Sequence, residues 1–113
     1  MKSFAQALDL KDDPAVIEAY RAYHRNVYPE VLAALRANGI TKMKIFLSGN
    51  RLFMYFEAPD DFDPARDFQK YTGTQPRCAA WDSLMRTFQQ RTPGARPGEW
   101  WAVMEVVFDL ETA

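Results

Sequence analysis

His24 is the only histidine in the chain, so acid–base chemistry run near neutral pH by an unperturbed side chain falls to it. At about 100° per residue, Ile17, Tyr20, His24, Val27, Val31 and Leu35 share one helical stripe, with His24 near its middle. Tyr20 lies one turn before His24, within reach of the imidazole or of a ligand held by both. Tyr23 and Tyr28 flank the stripe. An imidazole among phenols and apolar side chains is either a satisfied core residue or a proton-transfer group facing a neutral sugar. A sugar asks for apolar faces to stack on and a few placed donors and acceptors for its hydroxyls. Spacing alone leaves both readings open.

Other chemistries find less support. One His and one distant Cys form no metal-ligand cluster of recognisable spacing. Ser48-Gly49-Asn50-Arg51 joins two strands rather than a strand to a helix, so it is no phosphate cradle. No Ser or Thr stands in a nucleophile elbow. Cys78 reads as a small buried apolar residue. Among carboxylates, Asp82 beside Trp81 and Glu105 amid an apolar run are the candidates for a polar role. Glu105 is expected either as a buried partner for a helix residue or at a sheet edge.

Composition narrows the class. A chain of 113 residues is one domain, and this length can bury a core without staples. The formal net charge of -1 supplies no basic field, which argues against nucleic acid as the main partner. No apolar run approaches the roughly 18 residues of a membrane span. The first ten residues lack the apolar stretch and cleavage site of a secretory signal. With a single cysteine and no internal disulfide to form, the chain reads as cytoplasmic. Eight Phe, five Tyr and three Trp are a large aromatic supply, fit for a core, a dimer interface or a sugar-binding wall.

The elements that must position His24 follow from local signals. Lys2 to Leu10 alternates as a first strand. Asp13 caps a helix that opens on Pro14 and runs towards Asn38, with Gly39 just past its end. Pro29 offers no N–H to the Arg25 carbonyl, so a kink or break is expected near Asn26 to Tyr28. Ile40 to Leu47 and Arg51 to Ala58 are strands joined by the Ser48-Gly49-Asn50 turn. The second of them is apolar on both faces and belongs inside the sheet. Asp63-Pro64 opens a short helix to about Tyr71. Arg77 to about Gln90 resumes as a helix with Cys78, Trp81, Leu84, Met85 and Phe88 inward. Thr92 to Gly98 is loop, and Trp100 to Leu110 reads as a central strand. The order β-α-β-β-α-β is the ferredoxin-like α+β pattern. Helices on one face leave the other bare, and a homodimer packed sheet against sheet is the simplest cover.

The segment Glu18-Ala19-Tyr20-Arg21-Ala22-Tyr23-His24-Arg25-Asn26-Val27-Tyr28-Pro29-Glu30 resembles the L-rhamnose mutarotase family, whose first helix carries E-Y-x-x-x-H followed by an aromatic-Pro-Glu. The resemblance extends through Ile45-Phe46-Leu47, Cys78-Ala79-Ala80-Trp81 and Val107-Phe108, nearly the whole chain. It implies a dimeric α/β-barrel of ferredoxin-like subunits and cofactor-free exchange of the α and β anomers of a 6-deoxy-L-hexose. It also implies that His24 is catalytic, Tyr20 a sugar contact and Trp81 a wall of the pocket. Tyr55 and Asp82 are carried as further sugar contacts. The chain departs from the family pattern at Met43, at Trp81-Asp82 and at Glu99-Trp100-Trp101, where hydroxyls would be read, so L-fucose stands beside L-rhamnose as substrate. The alternatives are a non-catalytic sugar-binding module and a haem-handling dimeric-barrel oxygenase with His24 as axial ligand.

Overall fold

A computed structural model describes all 113 residues. The chain folds as β1 (Lys2–Leu10), α1 (Pro14–His24), α2 (Pro29–Ala37), β2 (Lys42–Ser48), β3 (Arg51–Ala58), α3 (Pro64–Thr72), α4 (Pro76–Arg86), β4 (Gln89–Gln90) and β5 (Ala102–Val103). The helix starts are those the local signals predict. The Asp13 carboxylate accepts from the Ala15 N–H at 2.9 Å and the Asp63 carboxylate from the Ala65 N–H at 3.0 Å, each ahead of a proline that needs no donor partner. The Pro29 signal produces a full break. Helix α1 ends at His24, and Tyr28 caps α2, which begins at Pro29. Gly39 then turns the chain at φ +90° with Pro59 packed where a side chain would sit.

The sheet is antiparallel with order β2-β3-β1-β4, and β5 also pairs with β1. Strand β3 lies inside it, paired with β1 from Lys2↔Ala58 to Asp9↔Arg51 and with β2 from Lys42↔Glu57 to Ser48↔Arg51. The far side of β1 is shared. Strand β4 takes Asp9 and Leu10, and β5 takes Gln6 and Ala7. This is the ferredoxin-like arrangement, with its fourth strand in two pieces.

Two expectations are corrected here. Helix α4 stops at Arg86, where the Thr87 hydroxyl donates to the Leu84 carbonyl at 2.6 Å. Gln89 and Gln90 are extended and join the sheet. The segment from Trp100 to Leu110 is no central strand. Only Ala102 and Val103 pair, with one further bond from the Met104 N–H to the Ala5 carbonyl at 2.9 Å. Strand β1 has two sides, and β3 already occupies one, so whatever pairs on the other is an edge. Beyond Met104 the side chains stand in solvent, Val107 at 87% and Phe108 at 70% exposed, and Glu105 is exposed with them.

The helices cover one face of the sheet. One cluster joins Leu10, Leu52, Tyr20, Val31, Cys78, Trp81 and Met85; a second joins Ile40, Met54, Phe56 and Phe62. Fully burying side chains of this size contributes about 1.5–3 kcal/mol each. Strand alternation sends Phe46, Phe53 and Tyr55 to the opposite face, where Phe46 is 53% and Phe53 36% exposed. No helix is long and apolar enough to cross a membrane.

Candidate active site

A cavity of about 1040 Å³ lies between the helices and the covered face of the sheet. Helix α1 supplies Tyr20 and His24 to it, α4 supplies Trp81, Asp82 and Arg86, and Trp100 enters from the loop before β5. Tyr20 and His24, one turn apart on α1, therefore face one space. His24 is the last residue of α1, so the break at Pro29 leaves its ring beside the gap between two helices rather than under a continuous helix.

The imidazole is held in one orientation. Its Nδ1 lies 2.9 Å from the main-chain oxygen of Tyr20. A carbonyl can only accept, so Nδ1 carries the hydrogen and the Nε2 lone pair of the neutral ring is free to accept. Burial disfavours the imidazolium and holds the His24 pKa below its ordinary 6.5, while the bond to the Tyr20 carbonyl pulls weakly the other way. The ring is thus a neutral base at neutral pH. The Tyr20 ring tilts against it with 4.3 Å between centroids, and Trp81 meets it edge-on at 5.4 Å.

Tyr20 is the complementary group. It is 5% exposed, and burial pushes its hydroxyl pKa up to about 12, with a hydrogen bond from Gln89 acting in the opposite direction. It stays protonated and can donate. Asp82 pairs with the Arg86 Nε at 3.0 Å, a carboxylate and a guanidinium presented together on the cavity wall. Arg86 in turn stacks on Trp100, its guanidinium carbon 4.7 Å from a ring centroid.

Of the residues expected from sequence, His24, Tyr20, Trp81 and Asp82 line this one cavity. Tyr55 does not. Odd-numbered residues of β3 point to the bare face, and the Tyr55 hydroxyl donates to Glu57 on that same face at 2.6 Å.

Three residues escaped the sequence reading. Gln89 is buried at 6% exposure between Tyr20 and Trp100, disguised as a helix end. Gln6 is 3% exposed, lines the cavity and has as its protein partner the Met54 sulfur at 3.2 Å, a weak acceptor for a buried amide. A polar residue alternating with Phe4 and Leu8 on an otherwise apolar face was the available signal. Arg86 lies one turn beyond Asp82, a spacing that marks the pair. No three His, Cys, Asp or Glu side chains converge as a metal site would require.

The model of the L-rhamnose mutarotase family matches residues 3–110. An L-fucose mutarotase of Xanthomonas campestris pv. campestris is 42% identical over 115 aligned positions, covering 100% of this chain and 91% of that protein. A UPF0734 protein of Dictyostelium discoideum is 56% identical, covering 97% and 90%. Among solved structures, an L-rhamnose mutarotase from Formosa agariphila superposes with a TM-score of 0.70 at 20% identity over 97% of this chain and 99% of that one. Tetracenomycin F2 cyclase from Streptomyces glaucescens does so at 0.62 and 18% identity over 96% of each. The two structural matches share the fold. The family match runs through all four helices that line the cavity and includes His24 and its neighbours, and on it the chain belongs to the L-rhamnose mutarotase family.

Proposed function

We propose that the chain is an isomerase that exchanges the α and β anomers of a 6-deoxy-L-hexose, with His24 as base and Tyr20 as acid. One observation carries this reading. A neutral imidazole with its acceptor nitrogen fixed stands against a buried phenol that keeps its proton, both facing one cavity.

Mutarotation needs one group of each kind. His24 Nε2 takes the proton of the anomeric hydroxyl as the C1–O5 bond breaks and its electron pair passes to O5. Tyr20 gives its proton to O5, leaving an open-chain aldehyde. Rotation about C1–C2 exposes the other carbonyl face. On reclosure O5 attacks C1 and returns its proton to the phenolate, and the imidazolium returns its own to O1. The imidazolium and phenolate formed on the way lie side by side, 4.3 Å between rings, so each charge stabilises the other in a site of low dielectric. Trp81 gives the sugar an apolar wall, and Asp82, Arg86 and Gln6 give its hydroxyls polar partners.

L-fucose and L-rhamnose are the substrates of choice, since relatives named for each share this fold or sequence. We infer a homodimer as the working form. The bare sheet face with Phe46, Phe53 and Met104, the last 46% exposed, is an apolar surface that a second sheet would cover. The single free thiol, Cys78, is buried and suits a reducing cytoplasm.

Magnetisation-transfer NMR between the anomer signals of L-fucose and L-rhamnose tests the activity. Exchange faster than buffer that disappears in His24→Ala supports it. Binding without exchange would make the chain a sugar-binding module instead.

A further inference from the structure

The Tyr20 hydroxyl has a neighbour whose own orientation is fixed from farther out. The indole Nε1–H of Trp100 donates to Gln89 Oε1 at 2.9 Å. An indole nitrogen is a donor and never an acceptor, so the amide cannot be turned round without setting two donors against each other. The Gln89 Nε2 group is left facing the Tyr20 oxygen at 3.5 Å, and it can only donate. The phenolic hydrogen is thereby kept off Gln89. Tyr20 lines the cavity, and that is where an acceptor for its hydrogen can stand.

From this the geometry points to Gln89 and Trp100 as positioning residues that set the direction in which Tyr20 donates: Trp100 orients Gln89, and Gln89 turns the Tyr20 proton towards the substrate's ring oxygen. The Tyr20 carbonyl does the converse for His24, taking the Nδ1 hydrogen and leaving Nε2 to accept. One residue thus stands at the junction of two oppositely directed chains. Its main chain fixes the base, and its side chain is fixed as the acid. Arg86 lies over the Trp100 ring and is anchored by Asp82, so the indole is held by its ring as well as by its N–H. The inference rests on the mutarotase reading above.

The decisive variant is Gln89→Glu, which keeps the shape and reverses the polarity. A carboxylate accepts from Trp100 and from Tyr20 alike, so the phenolic hydrogen is drawn away from the sugar. The expected result is a fall in kcat of roughly 100-fold, the scale of a lost general acid, with KM little changed. Tyr20→Phe should fall similarly. The double variant should match Tyr20→Phe within about twofold, because Gln89 acts only through that hydroxyl. Gln89→Met, which withdraws the donor without capturing the proton, should fall between wild type and Gln89→Glu. It also serves if the carboxylate variant fails to fold. Trp100→Phe should lower kcat less than Gln89→Glu and lose its effect in the Tyr20→Phe background.

Additive losses, or a Gln89→Glu protein as active as wild type, would overturn the inference and leave the mutarotase reading standing. Absence of anomer exchange in the unaltered protein would overturn both.

Discussion

His24 and Tyr20 are joined twice, once through the 2.9 Å contact from the imidazole Nδ1 to the Tyr20 carbonyl and once through rings 4.3 Å apart. The first contact sets which nitrogen can act, and the second brings the phenol to the same ligand atom neighbourhood. Because the two residues are one turn apart on α1, a short helix carries both groups of the proposed proton exchange.

The pH dependence follows from the two groups. His24 must be neutral to accept a proton, and its pKa lies below 6.5. Tyr20 must be protonated, and it stays so up to about pH 12. The rate of anomer exchange above buffer should therefore be flat from neutral to mildly alkaline pH and fall on the acid side, with a midpoint below 6.5. Stability carries the same sign. Folding favours the neutral ring, so this contribution is complete above 6.5 and is lost as pH falls through the lower folded value. Exchange rates measured between pH 4.5 and 9 check the profile, and an acid limb centred above 7 would contradict the role given to His24.

Trp81 is the keystone of the cavity wall. It touches His24 edge-on at 5.4 Å and Tyr28 at 4.9 Å, and it is 7% exposed. Trp81→Ala should lower the unfolding free energy by about 3–5 kcal/mol, the usual loss for a buried large aromatic. Trp81→Phe should keep most of the fold and weaken sugar binding more than it slows exchange at saturation. Urea unfolding and NMR titration separate the two effects.

Gly39 should tolerate no side chain. It sits at φ +90°, and a Cβ there would lie 2.8 Å from Pro59 Cγ and 2.9 Å from Pro59 Cδ. Left-handed backbone alone disfavours alanine by roughly 1–2 kcal/mol, and the proline ring cannot swing aside as a flexible chain end could. Gly39→Ala should lose more than that figure in thermal or urea unfolding, whereas Gly49→Ala, with open space around it, should lose only the backbone share.

Charge on the bare sheet face tests the proposed homodimer. The Phe46 and Phe53 rings lie tilted against each other on that face, 6.1 Å between centroids, outside the cavity. Phe46→Asp with Phe53→Asp should convert a dimer to a monomer in light scattering after size exclusion. A wild-type chain that elutes and scatters as a monomer at micromolar concentration would refute the dimer directly.

Much of this architecture is written in short-range signals. The Asp-Pro pairs at 13–14 and 63–64 mark two helix starts, Pro29 marks the break, and strand alternation assigns β2 and β3 their faces. The same alternation could have placed Tyr55 away from the cavity, since Leu52, Met54 and Phe56 are the buried set. What periodicity cannot convey is partnership across long separations. Gln89 looks like the tail of a helix until its amide is seen between Tyr20 and Trp100. The apolar run after Trp101 reads as a central strand because an exposed apolar segment and a buried strand can have the same composition. Hydrophobicity reports that a residue needs cover, and is silent on which chain supplies it.

Strand β1 is the earliest element in the chain and the middle of the sheet, and its far-side partners, β4 and β5, are drawn from near the other end. Closing so long a loop sacrifices chain entropy before any pairing returns it, and folding slows as contacting residues lie farther apart in sequence. The β1–β3 pairing and the α1 turn bearing Tyr20 and His24 can assemble first. Gln89 and Trp100 arrive with β4 and β5, each held by only two ladder residues. The proposed catalytic pair would thus exist in a partly folded chain before the residues proposed to aim it, and refolding followed by anomer exchange should show activity lagging behind secondary structure.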